Sequence, residues 1–145
     1  MKKVIILLCG LASFAYANTV KVNVTAVNVK GNEGAYTFAV TLESDETGCE
    51  QYADWWEVLS EKGELLYRRI LVHSHPNTQP FTRSGGQVAV KADDVTYVRA
   101  HMNKEGYAGA VMKGSVAKGF KVVTDLPTFS KKIETQKPLP QGCLF

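Results

Sequence analysis

The chain has 145 residues, 45% of them hydrophobic and 21% charged, with 17 basic residues against 14 acidic ones and a formal net charge of +3. This length suits one core of ordinary size, and so small a charge creates no basic field that would attract nucleic acid. Two of the basic residues, Lys2 and Lys3, lie in a segment expected to be removed. That leaves 15 of the 17 basic residues against 14 acidic ones, a net charge of +1.

The first residues read MKKVIILLCGLASFAYA. Lys2 and Lys3 form a positive start, Val4 to Phe14 an apolar stretch too short to span a bilayer, and Ala15-Tyr16-Ala17 a small-x-small cleavage site. Residues 1–17 are therefore expected to be a secretory signal peptide, with the mature chain starting at Asn18. Cys9 invites comparison with a lipoprotein anchor. Leu8 precedes it where a small residue is needed, however, so Cys9 is assigned to the discarded segment. No second apolar run is long enough for a transmembrane helix, and a periplasmic or secreted protein without stable membrane insertion is expected.

The remaining chain is dominated by a period of two. Val20, Val22 and Val24 alternate with Lys21 and Asn23, and Val27 and Val29 then take the opposite parity, which predicts a bulge near Thr25-Ala26. Gly31 to Gly34 turns the chain into a half-buried strand carrying Tyr36, Phe38, Val40 and Leu42. The segment YADWWEVLSEKGELLYRRILVH reads as a hairpin, with strands at 52–59 and 65–73 around the turn at 61–64. Its helical alternative over Asp54 to Leu66 is disfavoured by Gly63 and the paired tryptophans. A loop from Pro76 to Pro80 follows, Ser84-Gly85-Gly86 reads as a turn, and Gln87 to Lys91 as a short strand. Strands are expected at 95–102 and within YAGAVMKGSVA, with an edge strand at Phe120 to Val123. About seven short strands and no convincing helix point to an all-β sandwich or barrel over residues 18–126.

Two cysteines remain after processing, Cys49 and Cys143. An even pair in an oxidising compartment predicts a disulfide. It would close a loop of about 95 residues, worth roughly 4–5 kcal/mol at most in the chain-entropy account. Its expected purpose is to tie down the polar, proline-interrupted tail at 127–145. The rival, a Cys–His metal site, lacks the close ligand spacing of zinc sites.

VTYVRAHMNKEGYAG resembles the penultimate hairpin of fibronectin type III and immunoglobulin-like domains. That resemblance implies an immunoglobulin/fibronectin type III-like β-sandwich. The segment from Trp55 to Gly109, with His73, His75, Gln79, Pro80, Phe81, Thr82, Arg83 and Ser84, also resembles a family of small secreted bacterial proteins with no established activity. It implies a fold and a compartment only.

The histidines carry the sharpest chemical expectation. Pairing 52–59 with 65–73 places His73 near Tyr52, and an antiparallel strand 95–102 on the other side brings His101 to the same end. At ~4.8 Å per strand the β-carbons of His73 and His101 would lie about 10 Å apart, with His75 one step further along. Three imidazoles would suit copper or zinc, with Glu50 and Asp54 as an added oxygen ligand or as supports orienting a ring. The bland alternative is a polar strand end. Trp55 and Trp56 point to opposite faces, and an exposed one could join Tyr52 or Tyr67 in stacking on a glycan or a partner protein. Arg68, Arg69, Arg83 and Arg99 read as an anionic site or, more simply, as a solvated face. Ser74 has no nucleophile elbow around it, and no carboxylate pair marks a glycosidase, so no enzyme is expected. Two readings stand: a non-catalytic interaction module, and a copper- or zinc-binding protein using His73, His75 and His101.

Overall fold

The computed structural model describes residues 19–144, so the signal-peptide expectation lies outside the described residues. Among the described residues there are eight strands: β1 (Val22–Asn32), β2 (Ala35–Ser44), β3 (Ala53–Ser60), β4 (Leu65–Ile70), β5 (Phe81–Val88), β6 (Thr96–Met102), β7 (Val111–Ser115) and β8 (Gly119–Val123). They form a β-sandwich, a three-stranded sheet in the order β1-β2-β5 facing a five-stranded sheet in the order β4-β3-β6-β7-β8. All neighbouring strands are antiparallel.

The bulge expected in β1 is present. Val24 pairs with Leu42 and Ala26 with Thr41, so Thr25 is the extra residue. The parity switch turns Val27 and Val29 toward the same core as Val22 and Val24. The β3–β4 hairpin has the expected register, with Trp55 opposite Ile70 and Glu57 opposite Arg68. Gly63 adopts φ +82° in its turn. The core between the sheets is built from alternate residues, among them Val24, Phe38, Val40, Trp56, Val58 and Val98, all fully buried.

Two expectations about strands are corrected. Ser84-Gly85-Gly86 is not a turn but the middle of β5, which runs antiparallel to β2 from Phe81 to Val88. The glycines are there because neighbours come too close for a side chain. A Cβ on Gly85 would lie 2.6 Å from the Tyr67 hydroxyl, and one on Gly86 would lie 2.7 Å from the Tyr36 carbonyl oxygen. The second strand of the hairpin stops at Ile70 rather than 73. Leu71 turns into the core, and residues 72–80 cross to the other sheet.

β3 and β6 are buried on both faces. One face meets the three-stranded sheet. The other is covered by the C-terminal segment, which returns after β8, makes a short 3-10 turn at Lys131–Thr135 capped by the Ser130 side chain, and runs on to the disulfide. Ile133 and Phe129 of this strap pack with Leu59, Tyr97 and Val111 in a second small core. Cys49 and Cys143 are bonded, with Cα atoms 5.4 Å apart across a sequence separation of 94. Beside the bond the Leu144 amide donates to the Val72 carbonyl at 2.7 Å.

Candidate functional site

The covered face of the five-stranded sheet carries most of the buried charge. Strand alternation turns Trp55, Glu57 and Leu59 of β3 to this face, and register sets them opposite His101, Arg99 and Tyr97 of β6. Arg68 of β4 lies opposite Glu57 from the other side. The result is a row, Arg68–Glu57–Arg99, across three strands. Arg68 Nε donates to Glu57 Oε2 and Arg99 Nε to Glu57 Oε1, each at 2.8 Å. The Glu57 and Arg68 side chains are wholly buried, which is tolerable only because each charge is paired and hydrogen-bonded.

Arg68 has donors to spare, and they meet the strap. Nη1 donates to the carbonyl oxygens of Gln136 at 2.6 Å and Pro138 at 3.2 Å, and Nη2 to that of Ile133 at 2.7 Å. Its guanidinium lies 4.4 Å from the centre of the Trp55 ring. The Arg99 guanidinium is held between two rings, 3.5 Å from the centre of Tyr107 and 4.7 Å from that of Phe129 on the strap. Burial pushes the Tyr107 hydroxyl up to about 12, with the nearby Glu57 charge acting in the same direction.

His101 completes the face. A bulge makes Asp54 the extra residue between Ala53 and Trp55, and brings it beside the ring. Nδ1 is 2.6 Å from Asp54 Oδ1, and Nε2 is 3.2 Å from Glu134 Oε1 on the strap. The ring stacks on Trp55 at 3.6 Å between centres, its plane within 8° of parallel. Burial raises the Asp54 carboxyl, and the hydrogen bond with His101 opposes that shift.

The three histidines are not gathered into one site. His101 belongs to the strap-covered face, whereas His75 lies in the loop between β4 and β5, stacked on Phe81 at 3.9 Å. His75 Nε2 is 2.6 Å from Arg83 Nη2. A guanidinium can only donate, so Nε2 accepts and the ring proton sits on Nδ1, facing Glu46 Oε1 at 3.8 Å. Neither nitrogen then offers a metal a lone pair. Burial, and next the Arg83 charge, lower the His75 value, and His73 is close enough to lower it further. Glu50, suggested as a support, instead faces Lys104 at 3.7 Å on the surface, and Asp54 is committed to His101. Among the described residues no group of three or more His, Cys, Asp or Glu side chains is placed to hold a metal ion. The convergence fails because β4 ends at Ile70, which takes His73 and His75 out of the sheet.

The loop bearing these histidines is locked internally. Gln79 Nε2 donates to Glu46 Oε1 at 3.0 Å and to the His75 carbonyl at 3.0 Å, while Gln79 Oε1 accepts from the Ser44 amide at 2.9 Å. His75, Gln79, Phe81 and Arg83 thus fasten one crossover between the sheets. The expectation of an exposed aromatic platform is also corrected. Trp55 is 3% exposed and Trp56 fully buried, and Tyr67 packs on the core with its ring 5.6 Å from that of Trp56.

The sequence pattern puts Arg68 and Arg99 in an anionic site or, more simply, on a solvated face, and marks neither Glu57, Tyr107 nor Glu134; in the structure both arginines are buried against the Glu57 carboxylate. A usable signal was present: Trp55, Glu57 and Leu59 share a parity, and the expected hairpin register already set Glu57 opposite Arg68.

No family model matches the chain, and no solved structure matches it. It is similar to a protein of Halomicrobium mukohataei described as "Putative lipoprotein", with 41% identity over 91 residues. The alignment takes in 62% of this chain and 45% of that protein, so the chain spans under half the length of that relative.

Proposed function

We propose that this chain is an exported, non-catalytic binding module of immunoglobulin/fibronectin type III-like architecture whose ligand face is the outer surface of the five-stranded sheet. The observation that carries this reading is the set of three main-chain carbonyls bound by Arg68. The Ile133 carbonyl lies in the 3-10 turn and those of Gln136 and Pro138 follow it, so the fixed guanidinium recognises, by its backbone alone, a segment that leaves a turn. Trp55, Tyr97 and Tyr107 around it supply apolar surface for side chains. The C-terminal strap occupies the face in the manner of a tethered ligand.

The strand order, three strands β1-β2-β5 against β4-β3-β6-β7 with one added edge strand, supports the immunoglobulin-like reading. Export is supported by the leader pattern of residues 1–17, by the Cys49–Cys143 bond, and by the description of the Halomicrobium relative as a lipoprotein. The partner is a protein that presents a segment of this kind, a short turn followed by open main-chain carbonyls.

The test uses a fluorescent peptide of residues 127–144 added, under reducing conditions, to a chain ending at Leu126, whose sheet face carries no tethered competitor. Fluorescence anisotropy should rise with this chain, stay flat with the full-length oxidised protein, and rise less when the shortened chain carries Arg68→Ala. A shortened chain that is folded by circular dichroism and leaves the peptide free contradicts the reading. Export is checked by the mass of protein recovered from the periplasm of a producing cell. A chain starting at Asn18 is expected, and a cytoplasmic product retaining residues 1–17 would contradict it.

A further inference from the structure

We propose that the peptide face takes the strap of a second copy of this chain, so that two copies exchange C-terminal segments when the disulfide is open. The proposal rests on the reading of the sheet face as a peptide-binding surface and names its partner. Three observations support it.

The first is that the strap is a separable element. It is joined to β8 by residues Thr124 to Thr128, all of them exposed. A connection of this kind can act as a hinge, and exchange of an identical element is a low-cost route to a dimer.

The second is that the anchors of the strap do not depend on which chain supplies it. Ile133, Gln136 and Pro138 offer carbonyls to Arg68 of β4. Phe129 packs edge-on against Tyr97 of β6 at 5.2 Å, and Glu134 meets His101. Every one of these contacts joins the strap to the sheet across the hinge, so the same set forms between chains as within one.

The third is that this strap adds to the backbone contacts side chains that fit the face. Ile133 is 4% exposed in the second small core, and Cys143 reaches Cys49 at the far end of the face. An unrelated peptide brings neither the spacing from Phe129 to Ile133 nor the thiol. A second copy brings both.

Within one chain the strap has the advantage of high effective concentration, so the closed monomer dominates in dilute solution. Opening the Cys49–Cys143 bond with an added dithiol, which gives up two electrons and two protons and closes to its own cyclic disulfide, removes the covalent bias, and a high protein concentration then favours exchange. Reoxidation traps the product with Cys49 of each copy bonded to Cys143 of the other. Two thiols lose two electrons and two protons to the added oxidant, such as oxidised glutathione, for each bond formed.

The experiment uses unaltered full-length protein. Equal amounts of unlabelled and uniformly 15N-labelled chains are reduced, mixed at high concentration and reoxidised with glutathione, and the dimer fraction is isolated by gel filtration. It is then digested without reduction. The account predicts a dimer in which about half of the Cys49–Cys143 disulfide peptides carry one labelled and one unlabelled half, as random pairing of exchanged copies requires. A dimer containing only same-label peptides, or no dimer, overturns the exchange. Binding of the free 127–144 peptide to the chain ending at Leu126 is a separate measurement, so failure of exchange leaves the peptide-face reading standing on its own test. As a second arm, deleting Leu126 and Pro127 shortens the hinge and should raise the mixed-label dimer fraction. An unchanged fraction argues against the hinge.

Discussion

Glu57 is the residue on which the outer face depends. Its carboxylate is fully buried and held between Arg68 and Arg99, so removing its charge leaves two guanidinium groups in a dry setting. Glu57→Gln is expected to cost about 3–5 kcal/mol, the range for breaking a buried pair by removing one partner, as measured by urea unfolding. His75 makes a different prediction. Its folded-state value is lowered from 6.5 by burial and by Arg83, with His73 acting in the same direction and Glu46 opposing it. A base with a depressed folded value binds fewer protons in the native state, so stability is complete above pH 6.5 and falls as pH drops below it. Protonation would also turn Nε2 into a donor facing the donating Arg83. Urea midpoints between pH 7.5 and 5 should therefore decline, and His75→Gln should flatten the decline; an equal slope in the variant would contradict the assignment. The chemistry of these two residues was unevenly legible in the sequence. Glu57 and Arg68 share a row once the hairpin turn at 61–64 is placed, whereas the neighbours of His75 come from the turn after β2, at Glu46, and from β5, which no local pattern connects to residue 75.

At the level of elements, β5 shows why glycine is ambiguous in a sequence. Gly85 and Gly86 read as a turn because nothing nearby in the chain explains them. Their cause is the approach of Tyr67 from β4 and of the Tyr36 carbonyl from β2. Gly86→Ala would bring its Cβ to 2.7 Å from that backbone oxygen, and backbone cannot rotate aside as a side chain can. A loss of about 1–3 kcal/mol is expected, typical of overpacking, with a lowered thermal midpoint as the readout. By contrast the valine parity switch in β1 and the hairpin of β3 and β4 were legible, because each is set by residues within a few positions of one another. The strap was legible as a polar tail tied by a cysteine, but the surface it covers was not. Ile133→Ala should cost about 2–5 kcal/mol if the second small core forms as described, and a neutral result in urea would mean that the strap does not pack.

The whole molecule is a sandwich with a third, partial layer, and that layer accounts for burial on both faces of β3 and β6. The disulfide closes the arrangement without creating it, because Arg68, Phe129, Ile133 and Glu134 hold the strap independently of Cys143. Reduction should therefore lower the unfolding midpoint, by roughly 4–5 kcal/mol of stability at most, and leave the sandwich folded by circular dichroism. The two sheets and the cysteine pair follow from patterns and counts that sequence carries openly. The third layer depends on contacts between residues about 65 to 70 positions apart, such as Arg68 with Ile133 and Pro138. The most direct measurement is amide hydrogen exchange of the strap in oxidised wild-type protein and in oxidised Arg68→Ala. The Ile133 and Gln136 amides should exchange faster in the variant, while the Leu144 amide, fixed beside the intact disulfide, keeps its protection. Unchanged protection at residues 133 and 136 would contradict the claim that Arg68 holds the strap on this face.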